Sequence, residues 1–168
     1  MKNIFKTNIK IPKNVKLFLK EDKLFIKGPL GTICLNLAFL NKSNFDSSKE
    51  KKYYSLFFRL LQKSIVGVSL GFVNSLSFSG VGFRVESINK NFMLLKLGFS
   101  HLVTITIPTY IQISSPKKTL IILKCLDEQL LNVFCAKIRS FRSPDVYRGK
   151  GILYKNQILT LKEGKKNK

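Results

Sequence analysis

The chain predicts an α+β fold of two similar modules, each an antiparallel sheet packed with one helix. Segments of alternating apolar and polar residues give way to a segment of helical periodicity, and the same succession then runs a second time. Gly28 and Gly98 occupy equivalent turns, Ile33 and Val103 equivalent strand positions, and the two helical segments keep a comparable offset. Composition agrees: 45% of the 168 residues are hydrophobic, enough for a packed core. A chain of this length holds one domain or two of about 80 residues each. The expected division is a first module at 1–75, a second at 76–161 and a basic tail at 162–168.

Residues 1–12 read as an extended basic arm. Val15, Leu17 and Leu19 alternate as a strand, Glu21-Asp22-Lys23 turns the chain, and residues 24–27 return. Gly28-Pro29-Leu30-Gly31 turns it again into a third strand carrying Ile33, Leu35 and Leu37. Residues 41–52 are polar and predict a loop with a short or degraded strand near Phe45. Tyr54, Phe57, Leu61, Ile65 and Val68 then recur at helical spacing, so the first helix is expected over about 52–69.

The second series opens with a strand over 76–86, bent by Gly80 and Gly82. Asn89-Lys90-Asn91 is a turn, residues 92–97 return, and Gly98-Phe99-Ser100 leads to the alternation of 102–107, which Pro108 ends. Ile111 and Ile113 begin another strand, Pro116-Lys117-Lys118 turns, and residues 120–124 return. Asp127 is a candidate N-cap. Leu130, Phe134, Ile138 and Phe141 line one face of the adjoining helix, while Arg139 and Arg142 project from its last turn and Pro144 stops it. Residues 152–154 and 157–161 are expected to pair as a hairpin around Lys155-Asn156. The tail is too polar to fold alone.

Charge narrows the function. Thirty Lys+Arg against nine Asp+Glu leave a formal net charge of +21, which strains a compact fold until a polyanion relieves it. An acidic membrane is the second candidate partner, but the uncharged spans 64–83 and 97–116 are unsuited to crossing one. The first is diluted by serines and glycines, and the second alternates like a strand. The nine carboxylates are scattered over turns, caps and tails, with no acid–base pair, and no nucleophile motif is present. Gly80-Val81-Gly82 matches a fragment of a dinucleotide loop but lacks the third glycine and the helix. Cys34, Cys125 and Cys135 are widely spaced and there is one histidine, so buried free thiols in a reducing compartment are expected, without metal or cofactor. The first fifteen residues lack a cleavage-site pattern and transit-peptide character, which predicts a chain made where it works. Lysine outnumbers arginine 25 to 5, a bias typical of an AT-rich genome such as an organelle's.

The segment 139–151 concentrates the binding chemistry. It leaves the helix through Pro144 and alternates Arg148 and Lys150 with Gly149 and Gly151. Arginine and lysine bind phosphate, glycine permits close backbone approach, and Tyr147 offers a flat face to a sugar or base.

Four passages resemble ribosomal protein six of the large subunit, bacterial type. Phe78-Ser-Gly-Val-Gly-Phe-Arg84 is similar to the family's L-x-G-V-G-Y-R, and Leu97-Gly-Phe-Ser-His101 to its L-G-F-S-H. Pro144-Asp-Val-Tyr-Arg-Gly-Lys-Gly151 resembles its P-x-P-Y-K-G-K-G, and Leu161-Lys-Glu-Gly-Lys-Lys166 its basic terminus. Lys27-Gly28 and Ile65-Val-Gly-Val68 match as well. Val146 stands where the family has a second proline, Arg148 where it has lysine, and Leu153 where it often has arginine.

The resemblance implies a non-enzymatic constituent of the large ribosomal subunit. It implies binding to large-subunit rRNA near the factor-binding region and the stalk base, among neighbouring ribosomal proteins. A basic RNA-binding module outside the ribosome is the alternative. The second module is expected to grip RNA while the first faces proteins or solvent. Candidate contacts are Arg84, His101, Arg139, Arg142, Tyr147, Arg148, Gly149, Lys150, Gly151, Lys155, Lys162, Lys165 and Lys166. The expected place is a ribosome in the mitochondrial matrix, with a plastid or a bacterial cytoplasm as alternatives; no membrane and no small-molecule substrate are expected.

Overall fold

The computed structural model describes residues 9–37 and 47–164, with backbone alone for the first six residues of the first helix. Among the described residues, two helices and three antiparallel sheets make an α+β fold. Its contacts divide it into two compact units, Met1–Gly71 and Phe72–Lys168, so the division falls at Gly71 where residue 75 was expected.

In the first unit, β1 (Lys16–Lys20), β2 (Lys23–Gly28) and β3 (Gly31–Asn36) form an antiparallel meander with β2 in the middle. α1 (Ser47–Ser69) packs on β2 and β3. Val15, Ile26, Leu61, Ile65 and Val68 are buried together, with Leu17, Leu24, Ile33, Leu35 and Phe57 packed around them. Each such side chain contributes about 1.5–3 kcal/mol when fully buried. Gly28 lies against the Val68 side chain and carbonyl, leaving no room for a Cβ, and the Leu30 N–H donates to that carbonyl at 3.2 Å.

Two expectations for this unit change. The first helix begins at Ser47, within the polar stretch that predicts a loop; lysine and glutamate are good helix formers, and charge alone does not mark a loop. Tyr54, placed on the buried face by periodicity, is 44% exposed. The expected strand near Phe45 lies outside the described residues.

The second unit holds β4 (Phe72–Ser79), β5 (Arg84–Ile88), β6 (Phe92–Lys96), β7 (Val103–Thr106), β8 (Gln112–Lys117), β9 (Leu120–Cys125), α2 (Glu128–Ser140) and β10 (Gly151–Tyr154). One sheet runs β10-β4-β9-β8 and the other β5-β6-β7. The meander β5-β6-β7 corresponds to β1-β2-β3, with Gly98 after β6 where Gly28 ends β2. α2 covers β4, β9 and β10. Leu76, Met93, Leu95, Leu97, Ile121 and Leu123 are fully buried in one core with Ile138 and Ile152.

Here the single bent strand of 76–86 proves to be two strands in different sheets, separated by Gly80-Val81-Gly82. The inward face of α2 carries Leu131, Phe134, Cys135 and Ile138. Leu130 is 41% exposed, and Phe141 caps the helix instead of lying in it. Among the described residues no second strand comes after β10: Lys155 N–H donates to Ser75 O at 3.0 Å as β10 ends against β4, and residues 157–161 run on outside any sheet. Among the described residues, no helix is long and apolar enough to cross a membrane, and no group of three potential metal ligands occurs.

Asp127 caps α2, its Oδ1 accepting from the Gln129 N–H at 2.8 Å. Asp127→Ala is expected to lower stability by about 1 kcal/mol in urea unfolding, while Asp127→Asn retains most of it. The three thiols are free, with Cys34 exposed and Cys125 and Cys135 buried; burial pushes the Cys135 thiol above its usual range. Native alkylation is therefore expected at Cys34, with Cys125 and Cys135 reacting only in denaturant, as read by mass spectrometry.

Candidate nucleic-acid interface

The site is built where α2 ends. The Phe141 N–H reaches Ile138 O at 3.3 Å and the Arg142 N–H reaches Arg139 O at 3.3 Å, tightening the last turn. Pro144 then prevents another turn. Asp145 organises the segment after it: its Oδ1 accepts from the Tyr147 N–H at 3.2 Å and its Oδ2 from the Arg148 N–H at 3.3 Å. Its own N–H donates to Lys150 O at 3.0 Å, and its carbonyl accepts from the Gly149 N–H at 2.9 Å. The result is a small closed loop that leaves Tyr147 59% exposed and Arg148 and Lys150 at the surface.

The two glycines serve this closure. Gly149 sits at φ +66°, a conformation costly for L side chains, and an added Cβ would meet Leu161 Cδ2 at 3.4 Å. Gly151 is buried, and a Cβ there would lie 2.5 Å from Pro144 Cα. The space beside Gly151 is thus occupied by the protein itself, whereas at Gly149 the constraint is the backbone conformation, with Leu159 and Leu161 only in ordinary contact range. Beyond Gly151 the Ile152 N–H donates to Arg142 O at 2.9 Å, and Gly151 pairs with Ser79 in the register of β10 on β4. Lys162 returns to the same place, its N–H donating to Val146 O at 3.0 Å.

A second cluster stands beside the helix end. The Arg142 guanidinium lies 5.1 Å from the Phe99 ring centroid and 6.0 Å from that of Phe83. Phe99 in turn stacks on His101, with centroids 5.8 Å apart and planes at 17°. Gly98 leaves room for Phe83, whose Cε1 would be 2.8 Å from an added Cβ. Phe83, Phe99, His101 and Arg142 therefore form a cationic and aromatic group of which all but Phe83 are exposed, the type of surface that holds bases and phosphates together.

The remaining candidates are engaged differently. Arg84 Nε donates to Glu86 Oε2 at 2.7 Å. That hydrogen bond, with the charges of Arg84, Lys96 and Lys118, holds the Glu86 carboxyl below the usual carboxylate range. Arg139 is half-buried with its guanidinium 5.6 Å from the Tyr154 centroid, and its Nε has no hydrogen-bond partner among the described residues. Lys155 lies at the far end of β10 from Lys150, with on the order of 13 Å of strand between them. Lys165 and Lys166 lie outside the described residues. Phe83, Phe99 and Asp145 were missed by sequence reasoning; the spacing of Phe99 and His101 was the available signal for the stacked pair.

A family model described as Ribosomal protein L6 matches residues 79–155, which include both clusters. The large ribosomal subunit protein uL6 of Chloroherpeton thalassium is 36% identical over 176 residues, covering 98% of each chain. That of Buchnera aphidicola is 35% identical over 99% of each. The uL6m protein of Reclinomonas americana is 32% identical over 99% of this chain and all of its own. Likeness sustained from end to end, through both units and across the loop that closes on Gly151, is that of whole homologous proteins: the chain belongs to the ribosomal protein L6 family.

Proposed function

We propose that this chain is a structural constituent of the large ribosomal subunit, held there by large-subunit rRNA. The observation that carries the reading is the loop of residues 144–151, closed on itself by Asp145 and holding Tyr147, Arg148 and Lys150 outward on a chain of net charge +21. The family is a structural, non-enzymatic one. Within the subunit, the second unit is the main RNA grip, near the factor-binding region and stalk base, with other ribosomal proteins as neighbours. Arg148, Lys150 and Lys162 meet phosphates, and Tyr147 a sugar or base. Such contacts recognise backbone and shape more than sequence. The lysine bias and the likeness to a uL6m protein support a mitochondrial ribosome.

Sedimentation tests the reading first: the protein should travel with the large subunit, and its appearance only in light fractions would overturn the assignment. The loop is tested by RNA affinity across salt concentrations. The Arg148→Ala, Lys150→Ala double variant should lower the slope of log affinity against log salt by roughly two phosphates' worth, with the melting temperature unchanged. An unchanged slope would remove these two residues from the interface. Gly151→Ala should behave oppositely, destabilising the free protein by about 1–3 kcal/mol because its Cβ collides with Pro144.

A further inference from the structure

The first unit carries an ordered basic and aromatic surface on the sheet face turned away from α1. Side chains alternate along a strand, and register fixes which of them share a face. Lys16 pairs with Lys27, Phe18 with Phe25, and Lys20 with Lys23 across β1 and β2. On β3, Thr32 stands beside Lys27, Cys34 beside Phe25 and Asn36 beside Lys23. The opposite face holds Leu17, Ile26 and Ile33, which pack in the core with α1. Two phenylalanines therefore lie side by side at the centre of an open face, with a lysine pair at each end of them.

Exposure agrees with an uncovered surface. All four lysines, Thr32 and Cys34 are exposed, Phe18 is 51% exposed, and Phe25 is half-buried. No acid stands on this face of the three strands; Glu21 and Asp22 occupy the turn at its end. Like charges directly opposite each other in a sheet destabilise it, and here that happens twice. A folded sheet that places Lys16 against Lys27 and Lys20 against Lys23 gains from a bound anion that reaches both pairs.

We propose that this face binds a single-stranded segment of RNA, with bases stacked on Phe18 and Phe25 and phosphates held by Lys16, Lys20, Lys23 and Lys27. Charge complementarity selects a polyanion, and the central rings select one with flat apolar faces. A duplex buries its bases and cannot reach the rings, whereas an unpaired strand can. The proposal rests on the reading of the chain as an RNA-binding protein, but it assigns RNA to the unit expected to face proteins or solvent.

Cys34, the cross-strand partner of Phe25 on this face, reports occupancy here independently of the second unit. The full chain is mixed with a short oligouridylate, a matched duplex or polyglutamate, and alkylation of Cys34 is timed while binding is followed by gel shift. Bound oligouridylate should slow alkylation several-fold and the duplex should not. Phe18→Ala should weaken oligouridylate binding about fivefold or more without lowering the melting temperature. The Lys16→Gln, Lys27→Gln variant should lower the salt slope by roughly 1.4, with the melting temperature unchanged or raised. Bound oligouridylate that leaves the Cys34 rate unchanged overturns this proposal alone. Equal protection by polyglutamate, insensitive to Phe18→Ala, overturns it in favour of an acidic protein. Failure to bind any RNA, together with absence from the large subunit, removes the functional reading itself.

Discussion

The side chain of Asp145 accepts two backbone N–H groups while its own backbone accepts one and donates another. Those four hydrogen bonds turn the end of α2 into a closed loop instead of a frayed one. The candidate interface at residues 144–151 takes its shape from that closure. It seats Gly151 against Pro144, which starts β10 in register with Ser79 of β4. It also sets the exposed faces of Tyr147, Arg148 and Lys150 without any of them having to hold the loop together. An acidic residue at the centre of a cationic loop is thus structural: its charge is taken up by backbone donors, and the cations remain available to a ligand.

Much of the fold was legible because local signals and burial agreed. The meanders arise from alternation such as Val103 and Ile105 inward with Thr104 and Thr106 outward. The start of α2 is set by Asp127. The misreadings share a physical cause, in that one-dimensional periodicity does not record where the chain changes sheet. Alternation continues through Gly80-Val81-Gly82 although β4 and β5 belong to different sheets. On α2, Leu130 and Leu131 are equally apolar, and only contact with β4 and β9 decides which is buried.

The candidate site was legible in its cations and less so in its architecture. Arg148 and Lys150 stand out from their alternation with glycines, but at Gly151 the glycine serves the close packing of the chain on itself. Pro144 and the Ser143 carbonyl fill that space. The spacing of Phe99 and His101 hinted at their stacking, but the position of Arg142 over Phe99 could not be read from the sequence, because the β6–β7 connection and the end of α2 are far apart in the chain. Arg139 shows the converse: a surface cation by helical phase, it is drawn onto Tyr154 of β10.

The position of β10 has a consequence for biosynthesis. It is an edge strand of the β10-β4-β9-β8 sheet, yet it is translated after every other strand among the described residues. A nascent chain can form both meanders, α2 and the rest of that sheet while β4 still lacks its neighbour. The loop that holds Arg148 and Lys150 then has no anchor on its far side until residues 151–154 have been translated. Chains released before that point would carry most of the folded protein and an unfastened loop, so incomplete products would compete poorly for the site that the finished protein fills.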